Sequence, residues 1–336
     1  MKKILAMALL SVSLMAEAQL KVASYNVDNL FDLNEKGSEY KEYRSSKSNW
    51  NKRNYKAKLK HISKVIKLID ADIIALEEVE SLQALKDLRL TLKQNSLYYK
   101  YFAIASKKDT TVKVALLSKI PYIYAKSLRI GSSPRYRDIL EVKFQTKQMK
   151  KPLYLFINHW KAKSGPESQR IVSARALRKR IEQLGYDKDI VLVGDFNSDY
   201  EEYKKFKRVR RLNDTGGKTG INHILKTTYQ TKPFSCSMQK VKKSFYNLWY
   251  DVKPKERFSY IFRGKKEALD NILVSQSLLD CKKTHYKKGS MHSYKANFLF
   301  HGKRINRWQI RGKRNPKHTA KGYSDHLPVS AEFILK

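Results

Sequence analysis

Cysteine is nearly absent from this chain: Cys236 and Cys281 are the two among 336 residues. That count excludes a metal site built on clustered cysteines. It leaves two readings open, one disulfide in an exported chain or two buried thiols. Acidic residues are scarce as well, 31 against 70 Lys and Arg, for a net charge of +39. Long apolar runs are missing too. Ile4 to Ala16 is the one stretch that approaches such length, and it is short for spanning a bilayer. No internal repeat or low-complexity linker interrupts the remainder.

What the N-terminus does contain is ordered like a signal peptide. Lys2 and Lys3 precede the apolar stretch, and Ala16-Glu17-Ala18 offers a small-x-small cleavage site. The expectation is a signal peptide over residues 1–18, cleaved after Ala18, and a periplasmic or secreted protein with no transmembrane anchor. No cysteine lies near that site to carry a lipid. Residues 19–336 then suit one large α/β domain, with about +38 of charge and an apolar share (41% of the whole chain) sufficient for a sizeable core. Charge of this size attracts polyanions: nucleic acid first, then anionic membranes and acidic glycans. A generally basic composition with no such partner is the competing reading. Two stretches are densest, Lys204, Lys205, Lys207, Arg208, Arg210 and Arg211, and Arg304, Arg307, Arg311, Lys313, Arg314 and Lys317.

Periodicity places the elements. Leu59, Ile62, Val65, Ile66 and Ile69 fall at helical spacing, as do Ile171, Ala174, Leu177, Ile181 and Leu184 behind Pro166. Strands are expected over Val22–Val27, Val114–Leu117, Ile139–Phe144, Leu153–Asn158, Ile190–Gly194, Ile272–Val274 and Val329–Ile334. Some alternate and some are uniformly apolar, as in mixed sheets covered by helices. The polar, basic stretch 282–321 reads as a long surface insertion.

Six of the apolar runs carry Asn, Asp, Glu or His at or beside one end. They read Ser24-Tyr25-Asn26-Val27, Leu76-Glu77-Glu78-Val79, Phe156-Ile157-Asn158-His159, Gly194-Asp195-Phe196-Asn197, Leu269-Asp270-Asn271-Ile272 and Ser324-Asp325-His326-Leu327. One such residue is usually a solvated loop group; six suggest a single rim where strands converge. In this order the motifs resemble the endonuclease/exonuclease/phosphatase superfamily, over about Lys21 to Phe333. The resemblance implies a deoxyribonuclease I-like α/β (α+β) fold, a four-layer sandwich of two mixed β-sheets packed face to face with helices outside. Glu77 departs from the family, which often has Gln there. Alternation sends Glu77 and Glu78 to opposite faces, and the resemblance favours Glu78 as the metal-facing one.

Phosphodiester hydrolysis needs a hard cation on a phosphoryl oxygen, a base for water and stabilisation of the leaving oxygen. Asn26, Glu78 and Asp325 supply oxygen ligands suited to Mg²⁺ or Mn²⁺, with Ca²⁺ as an accessory ion. His326 is the general-base candidate, and the resemblance pairs it with Asp270. The resemblance also aligns His159 with a second active-site histidine. Asp195 and Asn197 point the same way at the scissile phosphate, and Arg137 is a phosphate-contact candidate. The expected function is an exported, divalent-metal-dependent endonuclease cutting DNA, and RNA as a further substrate, with little sequence preference. The alternatives are a sphingomyelinase-type lipid phosphodiesterase and a non-catalytic polyanion-binding surface protein.

Overall fold

Strict alternation along the central strands builds this molecule. A computed structural model describes residues 17–207 and 209–336; most of the expected signal peptide, and Arg208 of the first basic stretch, lie outside the described residues. Val22, Ile73, Ala75, Val114 and Leu116 face one way, and meet Leu155, Ile157, Val191, Val193, Ile272 and Val274 from a second sheet. Their neighbours Ala23, Tyr25, Ile74, Leu76, Ala115 and Leu117 face outward against helices Lys52–Ile69 and Leu82–Gln94. On the opposite side Phe156, Ile190, Leu192 and Leu273 lie under helix Glu167–Leu184. Both faces of each sheet are therefore dry, which is why several strands read as unbroken apolar runs. The result is the four-layer sandwich.

The helices begin and end where their sequences dictate. The Asn51 side chain accepts the Asn54 N–H at 3.1 Å, a cap worth about 1 kcal/mol. Asp70 closes the same helix in the left-handed region, its N–H on the Ile66 carbonyl. Pro166 caps the third helix from just outside it rather than occupying its first turn.

Sheet topology brings the six motifs to one rim. Gln19–Leu30 and Ile73–Val79 run parallel, so Asn26 and Glu78 leave at the same end. Leu153–His159 and Asp189–Asp195 are also parallel, pairing His159 with Asp195. Asp270–Ser275 runs antiparallel and so starts at that end, with Asp270 opposite Asp195. Val329–Ile334 likewise starts beside Ser24, directly after Asp325 and His326.

The stretch 282–321 differs from the expected loop. His285–Tyr286 and His292–Ser293 both pair with Val329–Ile334 and extend the first sheet. Phe300–His301 with Arg304–Ile305, and Ile310–Arg311 with Lys317–His318, form two short hairpins. Two-residue strands are too brief to leave a period in the sequence. Cys236 and Cys281 are disulfide-bonded, with Cα atoms 5.7 Å apart. Among the described residues no helix is long and apolar enough to cross a membrane.

Candidate active site

Irregular backbone aims the side chains at the rim. Pairing of the first two strands is regular from Val22 to Asn26 and resumes only at Leu30 against Val79. A slip of this kind bends a strand and redirects its side chains. Glu78 lies in it with φ of +66°, and Asp28 and Asn29 have φ of +50° and +67°. Left-handed backbone at non-glycine residues costs roughly 1–3 kcal/mol each and clusters at functional sites. Gly194 solves a different problem. A Cβ there would lie 2.0 Å from the Asn158 carbonyl oxygen, so only glycine lets these strands approach and set Asp195 beside His159.

Glu77 and Glu78 separate as alternation requires. Glu77 is fully buried and accepts a hydrogen bond from Ser24 Oγ at 2.9 Å. Burial, and then the charges of Asp270 and Asp195, push its carboxyl well above the usual range. Its surroundings thus favour the neutral acid, at the position where the family often has Gln. Glu78 opens to the cleft, and Asn26 Nδ2 lies 3.2 Å from both Glu78 Oε1 and Asp195 Oδ2.

The remaining groups are held in a network. Asp195 accepts the Asn197 N–H at 2.8 Å and Asn197 Nδ2 at 3.0 Å. His326 Nδ1 is 2.7 Å from Asp270 Oδ2, and its Nε2 is 3.9 Å from Asp195 Oδ2. Tyr260 packs on the His326 ring at 4.8 Å. His159 Nε2 lies 3.6 Å from Glu78 Oε1 and from Asp195 Oδ2, while its Nδ1 is buried without a partner. Arg137 is anchored by Nη1 on the Trp160 carbonyl at 3.3 Å. All nine residues expected from the sequence thus border one cleft of about 1050 Å³ or the floor beneath it.

The two histidines carry opposite electrostatics. Burial, and then Arg137 and His326, hold His159 well below the usual histidine range. Burial also opposes the charge on His326, but Asp270 and Asp195 outweigh it and raise that ring well above the usual range. Both carboxylates thus favour the charged form of the His326 ring, the residue expected as general base. Burial lifts Asp195 to about 6, with His326 opposing and Asp270 adding to the shift.

One acid escaped the sequence reading. Asp28, two residues beyond Asn26, is buried, and its Oδ2 has no hydrogen-bond partner. Burial and the neighbouring Asp325 raise it to about 6. Glu78 is raised to about 7 by burial, Asp325 and Asp28. Asp325 is near enough to both Asp28 and Glu78 to oppose their charges, and this acid set, with one orphaned oxygen on Asp28, suits a divalent cation of the hard, oxygen-preferring kind. Asp195, Asp270 and His326 also gather ligand atoms within 4.8 Å of one another. There Asp270 and His326 are engaged with each other, while Asp28 and Asp325 each lie within 3.8 Å of the Arg307 guanidinium. Left-handed backbone at Asp28 breaks the alternation counted from Asn26, so strand periodicity carried no signal for it.

Raised carboxylates make stability depend on pH with a definite sign. The folded pKa of Glu78 lies above its usual 4.5 and that of Asp28 above 3.8. Their contribution is therefore complete below about pH 4 and is lost as pH climbs to about 7. A cation bound to the ionised groups reverses that loss. Saturating Mg²⁺ (about 100 times its Kd) should contribute about 2.7 kcal/mol, a Tm increase of roughly 4 °C at pH 7.5 for a domain of this size, and less than half of it at pH 5. Equal Tm shifts at both pH values, measured by calorimetry, would contradict this assignment.

The comparisons agree with this geometry. A family model described as the endonuclease/exonuclease/phosphatase family matches residues 21–233. No curated protein matches the chain. TDP2 of D. rerio, solved with a single-strand DNA product, is similar at a TM-score of 0.57 and 13% identity, covering 94% of this chain and 99% of that one. The mannosyl-6-phosphatase of Bacteroides thetaiotaomicron is similar at 0.55 and 15% identity, covering 94% and 100%. Truncated TDP2 of Caenorhabditis elegans gives 0.53 and 15% identity, covering 94% and 98%. Likeness at such identity speaks for the fold alone. The family model spans well over half of the sequence, and the chain belongs to the endonuclease/exonuclease/phosphatase family of phosphoester hydrolases.

Proposed function

We propose that this protein is an exported, divalent-metal-dependent nuclease that hydrolyses DNA, and RNA as a further substrate, with little sequence preference. Enzymes of the family depend on a divalent metal. The observation that carries the reading is a floor of acids and histidines beneath cationic walls. Arg137, Lys163, Lys205, Arg211, Lys265 and Lys266 line the cleft. Lys163 is neutralised by Glu202 and Glu267, and Lys205 by Asp199. Arg211, Lys265 and Lys266 have no carboxylate partner among the described residues, which leaves them for substrate phosphates. Phe262 is also exposed on this wall.

Asp28, Glu78 and Asp325 would hold Mg²⁺ or Mn²⁺, which supplies Lewis-acid polarisation of a phosphoryl oxygen. The chain's own groups do the rest. Asp195, ionised above about pH 6 and fixed by Asn26 and Asn197, takes the proton of the attacking water. The His326 imidazolium, locked by Asp270, turns its Nε2–H to the cleft and stabilises the charge that develops on the phosphate. His159, buried with its pKa held low, hydrogen-bonds through Nε2–H to the leaving oxygen, which takes its proton from solvent water in the cleft. Export is part of the same proposal, and the Cys236–Cys281 bridge supports it, since structural disulfides persist mainly in oxidising compartments.

The test is a substrate panel in Mg²⁺: plasmid DNA, RNA, sphingomyelin vesicles and mannose 6-phosphate. Plasmid should be nicked and RNA degraded, with the lipid and the sugar monoester untouched. Turnover confined to sphingomyelin or to the sugar phosphate would overturn the nuclease reading.

A further inference from the structure

The second basic stretch stands on a rigid mount that the catalytic chemistry does not use. Trp308 and His318 are buried, and Trp308 Nε1 donates to His318 Nδ1 at 2.8 Å. Asn49 clamps the His318 backbone twice, at 2.6 Å to its N–H and 3.1 Å to its carbonyl. Trp308 meets Trp50 edge-on at 6.5 Å, and the buried Lys58 ammonium lies 5.1 Å from the Trp308 ring. At the root, a Cβ on Gly322 would lie 1.8 Å from the Arg307 carbonyl oxygen, so the returning chain can pass only as glycine. A hairpin fixed in this way is not a solvated loop whose charges drift apart.

Its outward side chains are of one sign. Arg311, Lys313, Arg314 and Lys317 are exposed and have no carboxylate partner among the described residues. Arg307, at the root, is 3.7 Å from Asp28 Oδ1 and 3.8 Å from Asp325 Oδ2, yet its side chain is 62% exposed. A depression of about 590 Å³ starts at Asp28 and Arg307 and runs past Arg311 and Lys313 to Pro316. A second, of about 510 Å³, shares Pro316 and continues between Lys41, Lys47, Arg314 and Lys317. The two adjoin at Pro316, and among the described residues Glu42 is the one acid besides Asp28 that lines them. Holding like charges along them costs self-repulsion that a bound polyanion relieves.

We infer that these adjoining depressions form a phosphate-backbone track, which carries a nucleic-acid strand outward from the Asp325 side of the cleft. Arg307 engages the phosphate next to the scissile one, and the arm beyond it engages those that follow. The inference rests on the polynucleotide reading above and deepens it: long substrates gain binding that short ones cannot. An anionic membrane fits less well, since Ile310 is the one large apolar side chain exposed on this arm and a surface binder needs an apolar face to insert.

The test is the combined Arg311→Ala, Lys313→Ala, Arg314→Ala and Lys317→Ala variant, with Lys313→Glu alone as a milder second variant. Hydrolysis of bis(p-nitrophenyl) phosphate should stay within about twofold of wild type, since these residues lie away from the reacting groups. KM for kilobase-length DNA should rise about tenfold or more. The log–log salt slope of duplex binding should fall by roughly 0.9 for each contact removed, and Lys313→Glu should move both in the same direction. A wild type that cuts DNA, with variants indistinguishable from it in KM and slope, overturns the track alone. Binding to phosphatidylserine vesicles that disappears in the variants while DNA cleavage is unchanged overturns it in favour of a membrane. A wild type that cleaves the small diester but neither DNA nor RNA overturns the polynucleotide reading and the track with it.

Discussion

Glu78→Gln is expected to lower DNA hydrolysis by about a thousandfold or more, the worth of about 4 kcal/mol of transition-state stabilisation. Fold and DNA binding should survive. The carboxylate of Glu78 is raised to about 7 because burial, Asp325 and Asp28 all oppose its charge. A cation turns that repulsion into attraction; an amide of the same shape does not. Removing the charge also relieves the metal-free protein. The variant should therefore melt at or above the wild-type Tm in chelator at pH 7.5, and Mg²⁺ should no longer raise it. Loss of activity accompanied by a lower metal-free Tm would mean that the substitution damaged the fold rather than the site.

His326→Ala should cost about a hundredfold or more, and Asp270→Asn should reproduce part of that loss. The 2.7 Å contact between them fixes the ring and keeps its proton. The pH profile distinguishes roles. Asp195 must be ionised, so kcat/KM should rise as pH passes about 6. His326 must be protonated, so the rate should fall only at pH well above the usual histidine range. His326→Ala should remove that alkaline fall while keeping the acid rise. If His326 is instead the base, its loss would remove the rise and leave any alkaline limb in place.

Much of the site was legible because strand periodicity and chain direction are local properties. Asn26, Glu78, His159 and Asp195 end parallel strands, and Asp270 and Asp325-His326 precede antiparallel ones. Apolar runs ending in polar motifs record that arrangement directly. The split between Glu77 and Glu78 also followed from alternation, and Ser24 shows where the inward partner goes. Asp28 was not found because the backbone there turns left-handed, which breaks the alternation that exposed the other residues. The charge state of His326 depends on Asp195, 131 positions away, and on burial, neither of which a motif contains. The insertion hid its hairpins because each strand is two residues long, and its anchoring by Trp308, His318 and Asn49 is tertiary. The basic stretch at Lys204–Arg211 also looked freer than it is: Lys204 and Lys205 are paired with Glu201 and Asp199.

The most direct test of the central claim, one acid-built cation site driving phosphodiester hydrolysis, is metal add-back on plasmid DNA. Protein stripped with chelator and dialysed should leave supercoiled plasmid intact, and millimolar Mg²⁺ or Mn²⁺ should restore nicking in the wild type but not in Glu78→Gln. Full nicking by the stripped wild type in excess chelator, or equal restoration in Glu78→Gln, would contradict the account.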